Sequence, residues 1–279
     1  MMYTLNCKGK LLVIDQPIVM GIINATPDSF FKGHSTPGLD GIVSLAAKMI
    51  VDGATILDIG GQSTRPGSKR IPAAQEIERV LPVIEAVQSK YPDTILSIDT
   101  FHSRVAEMAV KAGASIVNDV SGGEMDKEMI ATVAALHVPY ICMHMKGTPD
   151  TMQKDIHYEN VVKEVLDYFV FKIEACKAAG IHDIIVDPGF GFGKTIAHNF
   201  QLLKQLEIFK LLEKPVLAGV SRKSTIYKTL GISTDEALNG TTVLNTVALL
   251  NGAAILRVHD VKEAKEAIAL IDGMNTAQF

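Results

Sequence analysis

Eight short apolar runs constrain this chain more than any other feature, because each stops at a polar or charged cluster and helical segments alternate with them. They occupy 18–24, 55–60, 94–100, 114–120, 138–145, 183–189, 214–223 and 253–260. The runs are rich in Ile, Val and Leu and apolar on both sides, as parallel strands covered by helices are. Strand–helix alternation of this length predicts a TIM (β/α)8 barrel, whose strand C-terminal ends open onto one face that carries the chemistry. Asn24, Asp58, Asp99, Asn118, His144, Asp187, Lys223, Arg257 and His259 stand at those ends and are expected to converge.

A length of 279 residues suits one such domain. We expect an N-terminal hairpin within 1–16, a barrel over 17–272 and a tail at 273–279. Residues 3–7 and 10–15 flank Lys8-Gly9, which reads as a turn in a hairpin covering the bottom of the barrel. In 42–50, Ile42, Leu45, Ala46, Met49 and Ile50 follow helical spacing. Segments 102–112 and 158–179 read as helices closed by Gly113 and Gly180, the second as the longest in the chain. The long loops, 25–38, 60–72, 145–157 and 187–197, all fall on the strand C-terminal face, where binding loops are expected.

Several classes are disfavoured. No apolar stretch approaches the ~18 residues of a membrane span, and no signal peptide is apparent at the start. Cys7, Cys142 and Cys176 have neither metal-ligand spacing nor a disulfide framework, which suits a reducing cytoplasm. A net charge of −4 disfavours non-specific nucleic-acid binding but allows a local cationic pocket.

Six clusters carry chemistry. Asn24, before Ala25-Thr26-Pro27-Asp28, offers a carboxamide to a metal ion or phosphate; a turn with a side-chain cap is the alternative. Asp58-Ile59-Gly60-Gly61-Gln62-Ser63-Thr64-Arg65-Pro66-Gly67 joins glycines that permit close approach to an arginine that can reach an anion. Asp99 could accept two parallel N–H bonds from an amidine-like ring edge, or cap the helix starting near His102. Asn118, on the neighbouring strand, could join it or satisfy backbone. Asp187 opens a Pro-Gly-Phe-Gly-Phe-Gly-Lys stretch that resembles a phosphate loop but has Pro188 where the first glycine belongs, which excludes a nucleoside triphosphatase. Ser221-Arg222-Lys223-Ser224 before a helix, and Arg257 with His259 on one strand face, suit a diphosphate. His144 has no partner at metal-ligand spacing.

Taken jointly and in order, MGIINATPDSF, DIGGQSTRPGS, SIDT, SIVNDVSGG, MHMKGTPDTMQ, DPGFGFGK, GVSRKS and RVHD resemble the motifs of the dihydropteroate synthase family over residues 20–260. The resemblance implies a transferase of folate biosynthesis that condenses 6-hydroxymethyl-7,8-dihydropterin diphosphate with 4-aminobenzoate. It also implies Mg²⁺, a homodimer, small-molecule substrates without nucleic acid or membrane, and inhibition by sulfonamides. By the same resemblance, Asp99, Asn118, Asp187 and Lys223 would hold the pterin. Asn24, Thr64, Arg257 and His259 would hold the diphosphate, with the metal at Asn24. Thr64, Arg65, Pro66, Phe192 and Ser224 would frame the aminobenzoate. Asn24, Arg65, Asp99, Asp187 and Lys223 are the expected catalytic set. One departure stands out: the family commonly carries Ser-Phe-Ser-Asp-Gly-Gly in its first loop, and this chain has Ser29-Phe30-Phe31-Lys32-Gly33-His34. Two other readings are a pterin-binding methyltransferase barrel, which has less need of an anion site, and a non-catalytic pterin-binding paralogue, which Lys32 alone favours.

Overall fold

The computed structural model describes residues 2–26, 38–63, 68, 70–149, 151–152 and 156–277. Its frame is eight parallel strands: β3 (Ile18–Asn24), β4 (Ile56–Gly60), β5 (Ile95–Asp99), β6 (Ile116–Asp119), β7 (Tyr140–Met143), β8 (Ile184–Asp187), β9 (Leu217–Ala218) and β10 (Ile255–Val258). They neighbour one another in the order β8-β7-β6-β5-β4-β3-β10-β9. A single bridge between Val186 and Val216 joins the two ends, which nearly closes the barrel. Helices α1 (Leu39–Val51), α2 (Ala73–Lys90), α3 (Ser103–Ala112), α4 (Met129–Leu136), α5 (Val161–Ala178), α6 (Ile196–Lys204), α7 (Ser224–Leu230), α8 (Leu238–Leu250) and α9 (Val261–Thr276) surround it. Together they form the expected TIM-barrel fold.

Side-chain alternation divides the strands into two faces. Val19, Ile23, Leu57, Ile59, Leu96, Ile98, Val117, Val186, Leu256 and Val258 point outward into one core shared with the helices. Met20, Ile56, Ile116, Ile141, Ile185, Leu217 and Ile255 point inward and fill the lower lumen. The hairpin of β1 (Tyr3–Cys7) and β2 (Lys10–Ile14) adds Leu5, Cys7, Leu12 and Ile14 to that inner cluster, so it closes the bottom. Lys8 (φ 55) and Gly9 (φ 88) supply the paired left-handed residues that a two-residue hairpin turn requires. Two residues further along five of the strands, β4, β5, β6, β8 and β10, the inward face turns polar. There stand Asp58, Ser97, Asn118, Asp187 and Arg257, with Asp99 one step higher.

Three boundaries differ from expectation. The seventh run pairs only at Leu217–Ala218, because the chain turns at once, with Lys223 N–H donating to Val220 O (3.3 Å) and Arg222 left-handed (φ 53). Two helices, not one, then precede β10. Segment 158–179 begins later, at Val161, where the Asn160 side chain accepts from Lys163 N–H (3.0 Å); at 18 residues it equals α2 rather than exceeding it. Helix α9 also continues through Thr276, into the stretch expected as a tail.

Glu76 on α2 is fully buried, and neither carboxylate oxygen has a hydrogen-bond partner. Burial pushes its carboxyl up to about 8, with Thr100 opposing and Asp99 reinforcing. A raised folded value means stability that is complete below the ordinary carboxylate range and is lost as pH rises through 8. Glu76→Gln should therefore melt close to the unmodified protein at pH 5 and roughly 5 °C above it at pH 9. An equal gap at both pH values, by thermal denaturation, would show that this carboxyl carries no burial penalty.

Candidate functional site

The polar upper layer of the lumen is the site. Arg257 on β10 donates from Nε to Asp58 Oδ2 (2.6 Å) and from Nη2 to Asp99 Oδ2 (2.6 Å). Asn118 Nδ2 donates to the same Asp58 oxygen (2.9 Å). Register explains the convergence: Asp58 lies level with Ser97, and Asp99 with both Gly60 and Asn118, across β4, β5 and β6. The other oxygens, Asp58 Oδ1 and Asp99 Oδ1, are buried and accept nothing. Buried acceptors of this kind call for donors, and a flat ring edge bearing N–H groups can supply them.

Charge in the layer is balanced by close opposition. Burial raises Asp99 to about 7, with Asp58, Asp119 and Asp187 adding to the effect against the pull of Arg257. Burial works against the Arg257 charge, but Asp58 and Asp99 outweigh it and keep the guanidinium protonated. Asp187 ends β8 and accepts from Gly189 N–H (2.8 Å). Its carboxyl is raised by burial and held back chiefly by Lys223. Lys223, the residue preceding α7, is lowered by burial to about 8, and Asp187 is its main support. Gly219 lies beside the pair: a Cβ there would make ordinary contact with Lys223 Nζ at 3.8 Å and Asp187 Oδ2 at 3.9 Å. The Lys223 ammonium also donates to Phe190 O and sits 4.6 Å from the centre of the Phe192 ring.

The structure thus brings together Asp99, Asn118, Asp187, Lys223, Arg257 and Phe192. Ser224 follows as the first residue of α7. Asn24 ends β3, exposed and in register with Gly60. His259 lies beside Ser221, whose hydroxyl is 2.9 Å from its Nδ1 and accepts its backbone N–H (3.2 Å). Two open alternatives close here. Asp99 does not cap α3; Thr100 Oγ1 and Asp126 accept the N–H groups of His102 and Ser103 instead. Asn118 serves the acid pair rather than backbone. Thr64, Arg65 and Pro66 lie outside the described residues, as do Asp28 and Lys32.

Asp58, in the sequence a strand tip that opens the glycine-rich cluster, holds both Arg257 and Asn118. Its signal was the inward phase of TILDIG, where alternation places it one step above Ile56. Arg222 was expected only as part of a cationic segment. It forms a bidentate pair with Asp260 (2.8 Å for each bond) that ties the end of β9 to the end of β10.

Comparison with known proteins shows the family. The model of a family described as pterin binding enzyme matches residues 20–259. The Escherichia coli K12 dihydropteroate synthase is 40% identical over 273 residues, covering 97% of this chain and 96% of that one. A Xanthomonas albilineans dihydropteroate synthase solved with 4-aminobenzoic acid superposes with a TM-score of 0.93 at 39% identity, covering 100% of both chains. The same organism's enzyme in complex with 7,8-dihydropteroate gives 0.89 at 36% identity, covering 99% of this chain and 100% of that one.

Proposed function

The chain belongs to the dihydropteroate synthase family of pterin-binding enzymes, and from that premise we propose that it joins 6-hydroxymethyl-7,8-dihydropterin diphosphate to 4-aminobenzoate, releasing diphosphate and 7,8-dihydropteroate. One observation carries the reading to this chain's own residues: two buried, unpartnered carboxylate oxygens, on Asp58 and Asp99, stand beside Asn118 with Arg257 between them. That arrangement suits the N–H edge of a pterin. Asp99 and Asn118 would take the edge, while Asp187 and Lys223 hold the ring from the β8 and β9 side. As the edge occupies Asp99, Arg257 is released toward the diphosphate, which Asn24, Thr64 and His259 share. Thr64, Arg65, Pro66, Phe192 and Ser224 would frame the aminobenzoate.

The bond to break joins the pterin methylene carbon to the diphosphate oxygen, and the electron pair leaves with the oxygen. Cationic side chains offset the negative charge on the leaving group. Positive charge spreads from the methylene into the ring, and buried carboxylates at Asp187 and Asp99 favour it. The aromatic amine then attacks the carbon and loses its proton to water. No nucleophile-plus-base pair is needed, so we place the reaction on an SN1-like path.

Among the described residues, no group of three His, Cys, Asp or Glu side chains could hold a metal ion. A single exposed carboxamide at Asn24 fits instead a Mg²⁺ that takes most of its ligands from diphosphate and water. Asn24 would hold that ion, which would neutralise charge on the departing oxygens. Diphosphate release unaffected by a chelator would remove the ion from the scheme. A homodimer is proposed on the exposed Val243, Leu250, Leu270 and Met274 of α8 and α9; sedimentation at the mass of one chain would refute it. A cytoplasmic setting accords with Cys7, Cys142 and Cys176 being free and buried; secretion of the native protein would exclude it.

The deciding experiment follows diphosphate release with and without 4-aminobenzoate. Release that depends on the amine is expected. Pterin binding without release would leave the paralogue reading, and methyl transfer to a corrinoid would leave the methyltransferase one. The same path requires ordered binding, pterin diphosphate first. Calorimetry should find 4-aminobenzoate bound only once the pterin site is filled, and tight binding to the free protein would contradict the order.

A further inference from the structure

Lys194 has no part in the site described above, yet among the described residues it is the most completely enclosed cation of the upper barrel. The residue is 3% exposed. Its ammonium meets four acceptors: His144 Nδ1 (2.9 Å), Gly189 O (3.0 Å), Phe192 O (3.0 Å) and His144 O (3.2 Å). Two of these belong to the loop after β8, and two belong to the residue that follows β7. Burial, then Lys194 and Lys146, push the His144 imidazolium far down, so its ring stays neutral and Nδ1 is free to accept.

The loop needs such a tie. Gly189 (φ 71), Gly191 (φ 83) and Gly193 (φ 62) are all left-handed, a path with high conformational entropy in the unfolded chain and few ladder bonds in the folded one. Close approach to the β7 loop dictates two of them. A Cβ at Gly189 would lie 1.9 Å from His144 O, and one at Gly193 would lie 2.5 Å from Lys146 O. Bare backbone lets the His144 carbonyl reach the Lys194 ammonium. Asp187 and Asn199 pin Gly189 N–H and Gly191 N–H (2.8 Å each), but both bonds stay on the β8–α6 side. Among the described residues, Lys194 is the charged side chain that fastens this loop to its neighbour, beside the apolar packing of Phe192 with Met143 and Met152. The same loop presents the Phe190 carbonyl to Lys223 and the Phe192 ring beneath it.

We propose that Lys194 is a positioning residue for the condensation: it locks the 187–197 loop onto the end of β7 and so fixes the Phe192 wall against which 4-aminobenzoate is held. This rests on the functional reading above. It differs from a generic stabilising role because it predicts an asymmetric effect on the two substrates. Asp99 and Asn118 sit on β5 and β6, away from the tie, and Asp187 is placed by β8 itself; of the four pterin residues only Lys223 leans on the loop, through Phe190 O, so pterin binding should largely survive loss of the tie.

The test is steady-state kinetics on Lys194→Met, which keeps the stem and removes the ammonium, with pterin diphosphate affinity measured separately by calorimetry. The KM for 4-aminobenzoate is expected to rise about tenfold or more, while pterin diphosphate affinity changes less than about fivefold. Lys194→Gln, whose amide can restore two donors, should recover part of the KM. If Lys194→Met does not fold, the same split in Lys194→Gln decides. A lowered melting temperature with both substrates unaffected, or equal losses for both, would overturn the proposal. An unmodified protein that forms no dihydropteroate would instead overturn the functional reading.

Discussion

Arg257→Ala is expected to lower the melting temperature by about 6–20 °C and to reduce kcat/KM by roughly three orders of magnitude. The first figure follows from removing one partner of a buried ion pair, which costs about 3–5 kcal/mol, at about 2–4 °C per kcal/mol for a chain near this size. Here one guanidinium serves two buried carboxylates, Asp58 and Asp99, at 2.6 Å each. The second figure follows from removing a preorganised donor aimed at developing charge, which costs about 10²–10³ by itself. Arg257→Lys should regain part of the stability but little of the rate, because a point charge cannot span two carboxylates as a planar fork does. The stability deficit should also vary with pH. Asp99 already stands at about 7, above its ordinary value. The stability this protonated form contributes is complete below the ordinary carboxylate range and lost as pH rises through 7. Without Arg257 the acids Asp58, Asp119 and Asp187 dominate the surroundings of Asp99, with Lys223 a lesser offset, so the deficit should be larger at pH 8 than at pH 5. Thermal melts across that range and calorimetry with diphosphate measure both effects. An unchanged diphosphate dissociation constant would remove Arg257 from the anion site, and a melting temperature that did not move would show that the two acids do not depend on it.

Asp187→Asn should leave the fold nearly intact while lowering kcat by roughly 10²–10³-fold, the range seen when a group that stabilises transition-state charge is lost. Asparagine keeps an oxygen for Gly189 N–H, so the turn after β8 survives. What disappears is the main negative support of Lys223, whose ammonium burial already lowers to about 8. With that support gone, Lys223 should be neutral at pH 7 and lose its grip on the ring. The cation forming on the pterin methylene loses a buried counter-charge in the same step. Single-turnover measurement of carbon–oxygen cleavage isolates this effect from product release. A cleavage rate within threefold of the unmodified protein would mean that Asp187 has no part in stabilising the cation.

The barrel was legible in the sequence because parallel strands covered on both faces read as unbroken apolar runs, and the ends of those runs marked the mouth. The phase within each run carried more than was taken from it. Ile56 and Asp58 share a lumen-facing phase, as do Ile116 and Asn118, Ile185 and Asp187, and Ile255 and Arg257. The change from isoleucine to a polar residue at the next inward step draws the floor of the site. The pairing of Arg257 with Asp58 and Asp99 was hidden because it depends on strand stagger across residues 158 to 199 positions apart. The role of Lys194 was hidden for a different reason. Its four acceptors include three backbone carbonyls, and carbonyls leave no trace in residue identity. The short extent of β9 also escaped, since Val220 is as apolar as the residues that pair, and only the turn at Ser221-Arg222 ends the ladder.

The hairpin corks the base of the barrel with apolar side chains and so turns traffic toward the opposite face. Nothing can leave through the floor, so arrivals and departures must queue through the same opening. On the proposed reading, the partner seated deepest comes in ahead of the other, and a product spanning both seats blocks the entrance until it withdraws.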